Sequence, residues 1–481
     1  MAYSLKSVFK GASVYSIGQI LTKASGFLLI PIFTYYLTPS EYGIVGYMQM
    51  ILQLFATILM FGFYGAQTRY FYEFKDNAKK IGEYLFSTNI FLMTVLVFIC
   101  MVITLWGKSI YSLLNIKDIP FYPYVVLTVW TAFLQIMNQM VISFNMAAKK
   151  YKRVAALQFL QFASMSIFSI IMIVYFKKGA LGRIEGLFYG QLVFFLIFYF
   201  NYAKNFTLNF KSEYVKYALA FGVPIVFHLL AGVLHNSADR FILEKFVSMS
   251  QLGLYTVGYQ LGMVMSILVT AINQAWQPNY FDLMSSDSSD ENKKYENRKY
   301  FAYWMFIISS ICLFGILFTK EILFLLTPSE YHGASGIVQV ILAGYFMQGL
   351  YYFAASPIFF YKKTKILPFL TGSSALLNII LNLIFIPIYG IYGAAVATLI
   401  SYFYQALVIY FVGIKYFNPN FEVSKVVAIL AFIIVSIYIS YFDFSVKIFI
   451  IKLAVFCIFC LLTVFLYKNY FAYFTKRIKN V

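Results

Sequence analysis

Long apolar runs fill nearly the whole 481-residue chain and alternate with short polar segments, most of them basic. The pattern predicts fourteen membrane-spanning helices, over 11–37, 42–66, 84–107, 121–147, 154–176, 184–203, 217–240, 250–282, 299–319, 335–360, 368–388, 390–414, 426–442 and 446–470. Each run is roughly 20 residues long and apolar on all sides, as a helix in lipid requires. A membrane barrel would alternate polar and apolar positions with period two, and these runs do not.

The second six spans partly repeat the first six. Ser40-Glu41-Tyr42-Gly43-Ile44 follows span 1 as Ser250-Gln251-Leu252-Gly253-Leu254 follows span 7, an offset of 210 residues (250 minus 40). Lys149-Lys150-Tyr-Lys152-Arg153 before span 5 resembles Lys362-Lys363-Thr-Lys365 before span 11. The glycine-rich entries to spans 6 and 12, Gly179-Ala-Leu-Gly182 and Gly390-Ile-Tyr-Gly393, correspond as well. A second echo, Leu37-Thr-Pro-Ser-Glu-Tyr42 with Leu326-Thr-Pro-Ser-Glu-Tyr331, breaks this register and reads as recurring helix-start chemistry with Ser as cap. The expected fold is an all-α polytopic membrane protein: two pseudo-symmetric six-helix lobes, 1–203 and 204–414, plus an accessory helix pair in 415–481. Parallel repeats of this kind imply a carrier with a midplane site.

Composition agrees. At 62% hydrophobic and 11% charged, with mean hydropathy +0.77, the chain has too few polar residues to cover a soluble globule. Net charge is +19, and its distribution predicts topology. With Met1 in the cytoplasm, and cations near span ends counted with the nearer side, 26 Lys/Arg fall to the cytoplasmic side and 10 to the outside, with Lys23, mid-span, assigned to neither, which accounts for all 37. The charge therefore favours an anionic inner leaflet and gives no reason to invoke nucleic acid. Span 1 is too long for a cleavable signal peptide and carries Lys23 mid-span. Cys100, Cys312, Cys457 and Cys460 all fall in spans and read as packing residues.

Ionisable and amide side chains within spans are the candidate site, because burying them in lipid costs several kcal/mol unless they are paired or hydrated. Lys23, in Gln19-Ile-Leu-Thr-Lys23, lies about twelve residues into span 1. It reads either as a lysine paired to a neighbouring helix or, the favoured expectation, as a cation facing water and an anionic substrate. His235 lies near the repeat-equivalent depth and reads either as a neutral structural histidine or as a second anion-binding group. Asp239 and Arg240 end span 7 and read as an ion pair or as part of the site. Span 2 ends Gln67-Thr68-Arg69, with Arg69 also readable as an interface anchor. Span 8 carries Asn273, Gln274 and Gln277, amides that suit sugar recognition or helix packing. No Walker motif, metal-ligand spacing or hydrolytic triad appears, so neither an enzyme nor a cofactor is expected.

Ser-Ile-Gly-Gln-Ile-Leu-Thr-Lys23-Ala-Ser-Gly-Phe, with Leu-Thr-Pro-Ser-Glu-Tyr-Gly43, Asp239-Arg240-Phe-Ile-Leu and Gly253-Leu-Tyr-Thr-Val-Gly-Tyr-Gln260, resembles the polysaccharide transporter family. That family is the O-antigen and capsule repeat-unit flippase branch of the multidrug/oligosaccharidyl-lipid/polysaccharide exporter superfamily. The resemblance implies alternating-access transfer of an undecaprenyl-diphosphate-linked oligosaccharide across the bacterial inner membrane. It also implies membrane lipids as partners, together with a polysaccharide polymerase and glycosyltransferases. Lys23 matches a cavity arginine in the pattern of the lipid II flippases, whose other cavity arginines have no clear counterpart here. A lipid II flippase and a cation-coupled multidrug antiporter of the same superfamily are the alternatives.

Overall fold

The computed structural model describes residues 27–114, 116, 118–442 and 445–470. In chain order the helices are α1 (Ile30–Tyr36), α2 (Pro39–Leu59), α3 (Phe63–Glu73), α4 (Ala78–Leu113), α5 (Val126–Ala147), α6 (Tyr151–Ile170), α7 (Gly179–Ala203) and α8 (Ser212–Phe246). They continue as α9 (Met249–Gly262), α10 (Val264–Ser285), α11 (Asp290–Leu317), α12 (Thr319–Leu326), α13 (Ser335–Phe360), α14 (Leu367–Gly413), α15 (Val423–Ser440) and α16 (Val446–Leu466). No strand occurs among the described residues.

Twelve helices among these residues are long and apolar enough to cross a membrane, and the protein is a multi-pass membrane protein. One of the twelve, 364–413, holds two predicted spans. It reverses at Gly390, whose φ of 56° and ψ of −132° an L side chain rarely adopts. Its two arms then lie antiparallel: Ser374 Oγ donates to Ser401 O at 2.8 Å, and Tyr404 OH donates to Ser373 Oγ at 3.3 Å. Predicted span 1 lies mostly outside the described residues, with α1 as its visible end.

By packing, the chain forms two compact units, 1–256 and 257–481. The repeat assigns α8 to the second half, but α8 lies against α2, α3 and α4 and so falls in the first unit.

Unit 1 begins its second span with a capping box. Thr38 Oγ1 accepts from Glu41 N, and Glu41 Oε2 accepts from Thr38 N at 2.9 Å. The cap is therefore Thr38, not the serine expected. In the second copy of this hexapeptide, Leu326–Tyr331, Thr327 Oγ1 donates back to Leu323 O, and Ser329–Ala334 winds a short 3₁₀ turn. Span 2 is also broken where a continuous helix was expected. Phe61 and Gly62 take φ of 48° and 68° and separate α2 from α3. A Cβ on Gly62 would lie 2.4 Å from Gly222 O, and one on Gly222 would lie 2.0 Å from Phe61 O. The break is thus a backbone-to-backbone contact with α8. A second such contact joins α2 to the start of α9: a Cβ on Gly43 would meet Met249 O at 2.0 Å, and one on Gly253 would meet Pro39 O at 1.8 Å. Both partners are offset by 210 residues (249 minus 39, 253 minus 43), so the echo Tyr42-Gly43/Leu252-Gly253 marks two glycines that meet symmetrically.

The repeat recurs in local geometry. Lys149 and Lys362 both take φ of 57°. After each, the next amide bonds five residues back, Lys150 N to Asn145 O and Lys363 N to Ile358 O, the left-handed helix stop that leaves few carbonyls unpaired. Gly179 (φ 54°) opens α7 as Gly390 opens the second arm of α14. α6 and α7 form the corresponding hairpin, with Ser164 Oγ donating to Gly190 O at 3.0 Å.

In unit 2, α15 and α16 pack on α11 and on each other. Lys452 of α16 is fully buried and pairs with Glu321 of α12 at 2.6 Å. Gln339 Nε2 donates to Ser440 Oγ at 2.7 Å and ties α13 to α15.

Candidate functional site

Lys23 and Gln19, the deepest polar candidates, lie outside the described residues. The remaining candidates fall in three places.

The first is the short helix α3 of unit 1, whose two candidate residues, Gln67 and Arg69, point apart. Gln67 faces inward and is 1% exposed. Its Nε2 donates to Met140 O at 2.9 Å and to Ser143 Oγ at 2.7 Å, and its Oε1 accepts from Tyr202 OH at 2.7 Å. Tyr202 in turn accepts from Asn89 Nδ2 at 3.0 Å. Arg69, two residues on, is exposed and lies over the Phe221 and Tyr217 rings of α8, 5.1 and 5.9 Å from their centroids. Its Nε bonds Glu73 Oε1 at 2.7 Å, and Tyr217 OH donates to Glu73 Oε2 at 2.9 Å. The Arg69 bond, then the Tyr217 bond, hold the Glu73 carboxyl below its usual pKa. Such an aromatic-flanked guanidinium is what an interfacial anchor looks like, and Arg69 also keeps part of its fork exposed.

The second place is the end of α8. Asp239 is 2% exposed, accepting from Arg240 N at 2.7 Å, from Arg240 Nη1 at 3.3 Å and from Tyr255 OH. The Arg240 guanidinium stands 5.7 Å from the Tyr255 ring centroid. The ion-pair reading of Asp239-Arg240 is therefore what the geometry contains, and Tyr255 completes it. His235 is buried one turn earlier on the same helix.

The third place is α10 of unit 2. Gln274 is exposed, Asn273 and Gln277 half-buried, and Trp276 between them turns inward to stack on Phe353, centroids 5.2 Å apart and planes 9° from parallel.

One buried polar cluster escaped the sequence reading. Glu83 of α4 is 3% exposed and accepts from Lys211 Nζ at 2.8 Å, Asn209 Nδ2 at 3.0 Å and Tyr214 OH at 3.0 Å. The Glu83 bond raises the Lys211 pKa above its usual value. The available signal was a lone acid in the second turn of α4, just where the long apolar run begins, Ile81-Gly82-Glu83-Tyr84. No group of three or more metal-ligating side chains occurs among the described residues.

The family described as polysaccharide biosynthesis protein matches residues 8–284, more than half of the chain. The chain belongs to that family. Two curated relatives come from Haemophilus influenzae. "Lsg locus putative protein 1" is 25% identical over 411 residues, covering 82% of this chain and 97% of its own. An uncharacterized membrane protein is 23% identical over 403 residues, covering 81% and 94%. Among solved structures, the lipid II flippase MurJ in an inward closed conformation superposes with TM-score 0.74 at 15% identity, covering 95% of this chain and 99% of that one. An inward-facing multidrug resistance MATE family transporter of the MOP superfamily gives TM-score 0.65 at 14% identity, covering 82% and 94%. This chain shares their fold.

Proposed function

We propose that this protein is a flippase that moves an undecaprenyl-diphosphate-linked oligosaccharide repeat unit from the cytoplasmic to the outer leaflet of the bacterial inner membrane, without chemistry on the cargo. The observation that carries the reading is membership of a polysaccharide biosynthesis family on a fold whose solved examples include a lipid flippase and multidrug transporters. Lobes 1–203 and 204–414 supply alternating access, with 415–481 as accessory helices. O-antigen or capsule glycans are the cargo class, and the polymerase and glycosyltransferases that consume and make them are the expected partners.

In unit 1, Lys23 holds the diphosphate from span 1, with Gln19 beside it and His235 on the helix that the repeat pairs with span 1. Arg69 presents a further cation, while Gln67, Asp239 and Arg240 hold the helices in register around them. In unit 2, Asn273, Gln274 and Gln277 hydrogen-bond sugar hydroxyls. A cation-coupled drug antiporter needs a carboxylate free to bind a proton inside a lobe. The two carboxylates classed as buried among the described residues, Glu83 and Asp239, each stand beside a cation, Lys211 and Arg240, which supports the flippase reading over the antiporter.

The test is complementation in cells lacking the gene. Lys23→Ala should abolish surface glycan at normal membrane level, and Lys23→Arg should restore part of it, because the charge and not the ammonium geometry is what the diphosphate needs. Normal surface glycan in the alanine variant would remove Lys23 from the site.

A further inference from the structure

Unit 1 contains a polar crevice at the end of its helices that none of the transport residues line. It lies where α5 ends, α6 begins and α7 ends, and holds about 140 Å³. By the measure in which one water needs roughly 10–15 Å³, that is room for a phosphate group with its bound water. Its wall carries three cations, Lys150, Arg153 and Lys204, three amides, Asn145, Asn201 and Asn205, and no carboxylate. Helix α6 begins at its edge with Lys150 as N-cap and no side-chain cap bond, so first-turn amides and the positive end of a 20-residue helix add to the same field.

The repeat provides an internal comparison. Unit 2 has a crevice at the corresponding helix ends, lined by Ala354 and Pro357, which follow Val141 and Phe144 by 213 residues (354 minus 141, 357 minus 144). The shared left-handed stop at Lys149 and Lys362 fixes that offset. This second crevice holds only about 10 Å³ and is walled mainly by Tyr280, Phe353, Phe417 and Phe421, with Asn297 its one amide and no charged residue. At the repeat-equivalent positions of unit 2 Lys363 keeps the charge of Lys150, but Ile358, 0% exposed, stands for Asn145, Ile366, packed on the cluster of Ala355, Ile358 and Ile409, stands for Arg153, and Phe417 stands for Lys204. The same fold position is therefore nearly closed by mostly aromatic and aliphatic side chains in one unit and left open, polar and cationic in the other. Packing alone explains the nearly closed one. Three like charges around an open space repel one another, and an anion removes that cost.

We propose that the crevice of unit 1 is a binding site for the phosphate headgroup of a membrane lipid. Its helix ends lie at the depth where apolar spans give way to basic loops, which is the depth of lipid phosphates. The headgroup sits between Arg153 and Lys204, the guanidinium giving a two-pronged bond and Lys150 a third charge, with Asn145 at the buried floor. The acyl or prenyl chain leaves along the apolar outer surface of the helices. The chemistry is shared by anionic phospholipids and by polyprenyl phosphates, and the site is independent of the flippase reading.

Native mass spectrometry of the delipidated full-length protein tests it, with phosphatidylglycerol, undecaprenyl phosphate, phosphatidylcholine and inorganic phosphate titrated separately. Phosphatidylglycerol or undecaprenyl phosphate, or both, should bind more tightly than phosphatidylcholine; the tighter of the two names the source. Arg153→Gln with Lys204→Gln should weaken that binding roughly 30-fold, at about tenfold per 1.4 kcal/mol and about 1 kcal/mol per basic residue near a lipid surface. Both side chains are exposed, so the double variant should fold and elute as the parent does. Lys365→Gln, an exposed lysine on the repeat-equivalent turn of unit 2, should leave binding unchanged. Equal binding of phosphatidylcholine, undiminished lipid binding in the double variant, or inorganic phosphate displacing lipid at equal concentration would each overturn the proposal.

Discussion

Gln67 illustrates what a polar residue inside an apolar lobe can do besides meet a ligand. Its amide links α3 to α5 and α7 through Met140, Ser143 and Tyr202, every bond short and shielded from water. Gln67→Leu removes these bonds and leaves the Tyr202 hydroxyl without its acceptor. A buried donor or acceptor left unpaired costs about 1–3 kcal/mol, so thermal unfolding in detergent should begin several degrees lower. An unchanged melting temperature would show that the network contributes little. From sequence, Gln67 and Arg69 looked alike, two polar residues at the end of one span. What separates them is helical phase: two positions apart is 200° of rotation, which sends one inward and the other onto α8. Glu83 was illegible for another reason. Its partner Asn209 lies 126 residues further on, and no local pattern brings them together.

At the scale of elements, apolar length was readable because it is a property of consecutive residues. The breaks between elements were not. Phe61-Gly62 sits inside an unbroken apolar run, and the cause of the break is Gly222, a contact made only after α8 has packed. The repeat, by contrast, was visible in sequence because it preserves backbone demands: glycine where φ is positive at 179 and 390, and glycine where two helices touch backbone to backbone at 43 and 253. Gly43→Val places side-chain atoms where Met249 O now lies, 2.0 Å from even a Cβ. α2 and the start of α9 must then separate. Because overpacking in a tight contact costs roughly 1–3 kcal/mol or more, this variant should accumulate at a fraction of the parent's membrane level, whereas Gly232→Ala, with open space around its Cβ, should match the parent. Equal levels of Gly43→Val and parent would mean that the glycine contact is dispensable.

For the whole molecule, the split of 26 basic residues against 10 predicts both termini and the 284–299 loop in the cytoplasm, an orientation that labelling tests. Cysteines introduced at Ser288 and Thr38 should react oppositely with an impermeant thiol reagent in intact cells, Thr38→Cys labelling and Ser288→Cys remaining protected. The reverse pattern would invert the topology and with it the direction of transport. Fold and family followed from features that run along the chain, whereas the proposed cargo rests on Gln19 and Lys23, which lie outside the described residues.

Transport itself is the decisive measurement. Purified protein in proteoliposomes holding an undecaprenyl-diphosphate-linked oligosaccharide in both leaflets can be assayed with a membrane-impermeant glycosidase added outside. The account predicts that nearly all of the glycan becomes cleavable, that only the outer-leaflet half is cleaved in protein-free vesicles, and that Lys23→Ala resembles the protein-free vesicles. Protection of the inner-leaflet half in the presence of folded parent protein, alongside gradient-driven movement of a cationic drug, would contradict it.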